Sequence, residues 1–92
     1  MVNDKIIVTI LGSDKIGIVS EVTASLAKHK VNIEDIKQSI MQGYFVMFLL
    51  GDTSNSQYSF KEIKEALIEI GEKLNMEVWV QKKEIFDKMH TI

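Results

Sequence analysis

Strands are predicted where apolar side chains alternate along the chain or fill every position of a short run. Glu34-Asp35 interrupts the alternation of the second such segment, as a β-bulge would. The third segment is apolar throughout, which fits a central strand covered on both faces, and Gln42-Gly43 joins it to the second in a tight hairpin turn. The four predicted strands are residues 5–11, 31–41, 44–50 and 76–80.

Helices are predicted where apolar residues recur at intervals of three and four. The first opens at the turn formed by residues 12–17 and ends near His29 or Lys30. The second begins at Ser59, whose spacing to Glu62 is that of a capping box, and it ends at Asn75. A short terminal helix over residues 84–89 is expected to pack its apolar side chains at a place that the pattern does not give. The apolar positions are Ile18, Val19, Val22 and Leu26, then Phe60, Ile63, Leu67, Ile70 and Leu74, then Ile85, Phe86 and Met89.

The order of these elements predicts an α+β fold of the ferredoxin-like βαββαβ type, formed by residues 1–92 as a single domain. In this arrangement both main helices lie on one face of a four-stranded antiparallel sheet. The apolar residues on the other face of the first and third strands would then remain in water, which predicts a homodimer. Edge-to-edge pairing through the second strand and face-to-face packing of the open faces both fit the pattern.

The amino-acid composition argues against several classes of function. The formal charge is −2 and all eleven basic residues are lysines spread along the chain, so a nucleic-acid partner is not expected. Because there is no cysteine, disulfides, thiol nucleophiles and thiolate metal sites are excluded. No apolar leader precedes the first strand and no run of about 18 apolar residues occurs. We therefore expect a cytoplasmic protein without a membrane partner.

The sharpest local feature is the turn from Gly12 to Gly17, which leads from a strand into a helix N-terminus. Free amides and the positive end of the helix dipole lie there, so the turn suits an anion such as the carboxylate of an amino acid. Ser13, Asp14 or Asn32 would then hold its ammonium group. The alternative is purely structural: Ser13 or Asp14 caps the helix, and Gly17 allows close packing on the sheet.

Other chemistry is weakly supported. His29 and His90 have no metal-ligand spacing, and His29 is expected to end the first helix. Glu34-Asp35 is interpreted as a solvated surface pair. No nucleophile and base can be placed together, so the chain is not expected to be an enzyme or to hold a metal or cofactor. The aromatic residues Tyr44 and Phe48 are predicted to lie in the core or in a subunit interface.

An ordered set of residues along nearly the whole chain resembles the ACT family, and it is similar to the ACT modules of the glycine-cleavage repressor and formyltetrahydrofolate deformylase. The resemblance implies that an amino acid or similar small metabolite binds between the first strand-to-helix turn and the start of the second strand, often across a subunit interface. The residues that carry the resemblance are Gly12, Asp14, Gly17, Ile18, Val19, Val22, Leu26, Val31, Asn32, Ile33, Asp35, Ile36 and Gln38.

Carried over residue by residue, the resemblance implies ligand-binding roles for six positions, with main-chain groups near Gly17 and Ile18 holding a carboxylate. Ser13 is added from its place in the turn. Two functions remain open: a homodimeric regulatory sensor, and a ligand-free module of the same fold that binds an unidentified protein partner. The six positions are Gly12, Asp14, Gly17, Ile18, Asn32 and Ile33.

Overall fold

Strands and helices alternate in the order that the apolar pattern predicts, and the ferredoxin-like fold class is confirmed. The structure, a computed structural model, describes residues 4–13 and 17–89. Its elements are β1 Lys5–Ser13, α1 Ile18–Lys28, β2 Asn32–Met41, β3 Tyr44–Asp52, α2 Phe60–Leu74, β4 Glu77–Lys82 and α3 Lys83–Met89.

The four strands form one antiparallel sheet in the order β2-β3-β1-β4. The apolar strands β1 and β3 therefore occupy the centre, while β2 and β4 are the edges. Because β1 and β2 both run antiparallel to β3, they run in the same direction. The register of β2 on β3 shifts between Ile33 and Asp35, which confirms the predicted bulge and leaves Glu34 as the extra residue.

The core lies between the sheet and the first two helices. Every second residue of the central strands faces it, and α1 and α2 add the buried residues of their apolar stripes. Leu26 and Leu67 are 0% exposed, and burial of such a side chain contributes about 1.5–3 kcal/mol. The fully buried side chains are Val8, Ile10, Ile18, Val22, Leu26, Met47, Leu49, Ile63 and Leu67.

Helix α2 has the capping box predicted for it. The Ser59 hydroxyl accepts from the Glu62 amide at 3.1 Å, and the Glu62 carboxylate accepts from the Ser59 amide at 2.8 Å. At the other end, Asn75 is left-handed and the Met76 amide donates to the Gly71 carbonyl at 2.8 Å. This Schellman-type ending holds the main chain of Met76, so β4 begins at Glu77 and not at Met76 as predicted.

The sheet face opposite α1 and α2 is partly covered by α3. The side chains of Phe86 and Met89 line a groove with Phe48 and Trp79 of the open face, and Met89 Sδ lies 3.5 Å from Gln81 Nε2. The predicted helix is confirmed and its position is now defined, although none of its residues is buried.

The aromatic residues of β3 lie on this open face. Tyr44 and Phe48 are 58% and 44% exposed, so of the two predicted places the core is excluded, and a subunit interface stays a prediction. The sequence of β3 is apolar at every position up to Leu50, so it does not show which side chains face the core. Tyr44 and Phe48 face water because α1 and α2 cover the opposite face of the sheet.

Candidate functional site

The first strand-to-helix turn begins at the end of β1. Ser13 is the last residue of this strand and pairs with Tyr44. Gly12 faces Met76, and a Cβ atom at Gly12 would lie 3.0 Å from Met76 Cε. Glycine therefore permits the β1 end to sit close to the chain that leaves α2. Asp14 lies outside the described residues.

Gly17 is the N-cap of α1, with φ 97° and ψ −11°. Among the described residues a Cβ atom there would meet nothing within 4 Å, so close packing of Gly17 on the sheet is not what calls for glycine. Glycine is needed because the backbone is left-handed. Ser13 is not the N-cap either, because it still belongs to the β1–β3 ladder four residues earlier.

A glycine N-cap leaves the first turn of α1 without a side-chain acceptor from that position. The Gly17 carbonyl accepts from the Glu21 amide at 2.9 Å, which starts the helix. The amides of residues 18–20, which come before Glu21 in the helix, have no intrahelical partner. The Ile18 side chain is 2% exposed and belongs to the core, so Ile18 has only its main-chain amide for a ligand. Amides without an intrahelical acceptor and the positive end of the helix dipole are features that favour an anion.

An open cavity of about 530 Å³ lies beside the end of β1. It is bounded by Gly12 and Ser13 on one side and by the end of α2 on the other. Two carboxylates, Glu72 and Glu77, and the Asn75 amide line it, so a cation such as an ammonium group would find acceptors close to the turn. Sequence reasoning missed these residues because they follow the turn by about sixty positions and carry no local signal.

Asn32 and Ile33 lie at the opposite end of the sheet. Asn32 pairs with Asp52 on β3, whereas Gly12 pairs with Phe45. Phe45 and Asp52 are seven residues apart, so about 24 Å along the strand direction separates the two groups. A single chain therefore does not bring Asn32 and Ile33 to Gly12 and Ser13.

The neighbourhood of Asn32 is charged. Lys5 Nζ lies 2.6 Å from Glu34 Oε1 and 3.9 Å from Asp52 Oδ2. The hydrogen bond to Glu34 is the largest cause that raises the pKa of Lys5. The main-chain hydrogen bond from Ser54 is the largest cause that lowers the pKa of Asp52. Glu34 and Asp35 are both exposed, as their interpretation as a solvated surface pair requires, and Glu34 in addition forms a surface ion pair with Lys5.

His29 ends α1 as predicted and connects that end to the chain leading into α2. Its Nδ1 lies 2.8 Å from the Ser25 carbonyl, and its ring meets Tyr58 edge-on with centroids 4.5 Å apart.

His90 lies outside the described residues. In residues 4–13 and 17–89, no three His, Cys, Asp or Glu side chains are grouped to hold a metal ion. None of the helices in this part of the chain is long and apolar enough to cross a bilayer.

Comparison with known proteins identifies the family. The profile of the ACT domain matches residues 4–81. The UPF0237 protein of Clostridium acetobutylicum is 44% identical over 88 residues, which make up 96% of this chain and 99% of that protein. This chain belongs to the ACT domain family. An ACT domain protein from Streptococcus pneumoniae has the same fold with a TM-score of 0.78 at 32% identity, covering 90% of this chain and 93% of that one.

Two more distant structures share the ACT fold and confirm the resemblance drawn from the sequence. A formyltetrahydrofolate deformylase from Pseudomonas syringae pv. tomato gives a TM-score of 0.76 at 23% identity, covering 84% of this chain and 26% of that one. A putative glycine cleavage system transcriptional repressor gives 0.73 at 21% identity, covering 84% of this chain and 44% of that one. In both, the matching unit is part of a longer chain.

Proposed function

We propose that this ACT chain is a homodimeric regulatory sensor that binds an amino acid or a similar small metabolite and performs no catalytic step. One observation carries the proposal: α1 begins at a left-handed glycine, which has no side chain to accept from the first-turn amides, so an external acceptor could bind them. The acceptors of Glu72, Asn75 and Glu77 nearby suit the ammonium group of the same ligand. Membership in the ACT family supports a regulatory, ligand-binding role.

The position of Asn32 supports a site shared between two chains. Because β2 is an edge strand, two copies related by a two-fold axis can pair their β2 strands antiparallel. Antiparallel pairing sets the start of β2 beside the end of the partner's β2. The end of β2 lies at the same end of the sheet as Gly12 and Gly17, since Met41 and Ser13 both pair with Tyr44. Asn32 of each chain would thus approach the turn of the other.

The placement of α3 favours this paired sheet over face-to-face packing. Since α3 contacts β1 and β4 and closes part of the groove beside Trp79, it occupies sheet surface that face-to-face packing would need. On the β2 edge, by contrast, the residues from Lys37 to Met41 are all exposed.

A thermal-shift screen with each standard amino acid tests the sensor. At about 100 times Kd a ligand adds about 2.7 kcal/mol to the free energy of unfolding, and each kcal/mol raises the Tm of a domain this small by about 4–8 °C. We expect at least one amino acid to raise Tm, and Asn32→Ala to remove most of that shift. Asn55→Ala, which changes an exposed loop asparagine, is the matched control. If no amino acid raises Tm at millimolar concentration, the chain is not an amino-acid sensor.

A further inference from the structure

A groove of about 650 Å³ runs around the outer edge of β4. Residues from both faces of the sheet line it, which is possible only where the sheet ends. Lys64 and Ile68 of α2 lie on the helix side of the edge, and Phe48 and Trp79 lie on the open side. The remaining lining residues are Thr9, Val78, Val80, Gln81, Phe86 and Met89.

The edge of β4 is charged only at its two ends, at Glu77 and Lys82. It contains no proline and no bulge, and the residues from Val78 to Gln81 are uncharged. The other edge strand, β2, is the one through which two chains are proposed to pair, so β4 is the edge that such a dimer leaves open. The outer N–H and C=O groups of β4 meet no further strand among the described residues.

The groove has one apolar lobe on each side of this edge. Successive side chains of an extended peptide point in opposite directions. A peptide paired with β4 would therefore place one side chain against Ile68 and the next against Trp79 and Met89. Trp79 and Met89 are 54% and 64% exposed, so both have surface left to bury. Main-chain hydrogen bonds and alternate side-chain pockets are the two components of recognition by strand addition.

The charge in the groove specifies the partner further. Among the described residues that line it, Lys64 is the one with a charged side chain. Its Nζ lies 5.9 Å from the centre of the Phe60 ring, and Lys82 Nζ lies 5.5 Å from the same ring. A carboxylate on the bound segment would be attracted to the Lys64 ammonium group.

We propose that the free edge of β4 binds an extended segment of a partner protein, apolar at alternate positions and with an acidic residue opposite Lys64. The segment adds a fifth strand to the sheet. Pairing of two chains through β2 leaves β4 exposed at both ends of the joined sheet, so one dimer presents two such edges. This surface is separate from the amino-acid site and does not depend on it.

Selection of a phage-displayed library of random peptides, each about ten residues long to span the strand, tests the proposal with the full chain. We expect enriched peptides to alternate apolar residues and to contain an acidic one. Their binding should shift the emission of Trp79, the chain's single tryptophan, to shorter wavelength as its ring is buried. N-methylation of the peptide main chain should abolish binding at every second position, because only alternate amides face β4.

Two variants show where the peptides bind. Ile68→Asp should abolish binding, and Lys64→Glu should weaken acidic peptides about two- to fivefold. Lys61→Glu makes the same charge reversal on the same helix outside the groove and should leave affinity unchanged. The proposal is overturned if no peptide is enriched or if N-methylation shows no alternation. It is also overturned if Ile68→Asp converts a dimer to a monomer in sedimentation, since a second copy would then occupy the edge.

Discussion

Gly17 shows how one residue can be required for its backbone alone. Its φ of 97° excludes most side chains, while the space around its missing Cβ is empty. From the sequence the turn at residues 12–17 was predictable, but the role of this glycine was not. Close packing and a left-handed backbone both call for glycine, and only the dihedral angle and the empty space distinguish them.

We expect Gly17→Ala to lower the free energy of unfolding by about 1–2 kcal/mol, the cost of a left-handed backbone in an alanine. Gly17→Asn should lose less, because asparagine tolerates that region better. Urea denaturation of the three chains measures both differences. Gly43→Ala is the matched control: Gly43 also has positive φ and open space, but it lies in the hairpin turn. Equal stability of wild type and Gly17→Ala would contradict the assignment.

At the scale of helices and strands, the sequence predicted contacts between residues close together in the chain but not contacts between distant residues. The capping box of α2 was predicted because its two partners are three residues apart. The ion pair of Lys5 with Glu34 joins residues 29 positions apart, and no periodicity reveals it. Likewise α3 was predicted as a helix from its spacing, whereas its place on the open face depends on contacts with β1 and β4.

The capping box makes a pH-dependent contribution to stability. The hydrogen bond from the Ser59 amide is the largest cause that lowers the pKa of Glu62. A carboxyl group whose pKa is lower in the folded chain stabilises the fold above its unfolded pKa, about 4.3, and loses that contribution as pH falls through the folded value. We expect Glu62→Gln to show a smaller loss of Tm than wild type between about pH 5 and pH 3. Parallel Tm curves would contradict this role of Glu62.

At the scale of the whole molecule, the fold was predictable because strand order follows from the sequence of elements. Only part of the candidate site could be predicted from the sequence. Gly12, Ser13, Gly17 and Ile18 are close in sequence, whereas Asn32 lies at the other end of the sheet and would join them in a site only in the proposed dimer. Glu72, Asn75 and Glu77 reach the turn through the packing of α2 on β4, which no local pattern expresses.

Mixing two inactive variants tests whether the site is shared. Asn32→Ala and Asp14→Ala should each abolish ligand binding as homodimers. After unfolding and refolding together, half of the dimers are mixed by random pairing, and each mixed dimer has one site with neither substitution. We therefore expect about a quarter of the wild-type binding capacity to return, measured by isothermal titration with the amino acid found in the screen. No recovery would show that both residues act within one chain or that neither acts at all.

The length of sheet between Gly17 and Asn32 also determines what such a chain would respond to. When the walls of a site belong to different molecules, binding and association are linked by mass action. Dilution then weakens ligand binding, and ligand tightens the dimer. The response would follow the abundance of the protein as well as that of the metabolite, so a cell could set the threshold of this sensor simply by how much of the chain it makes.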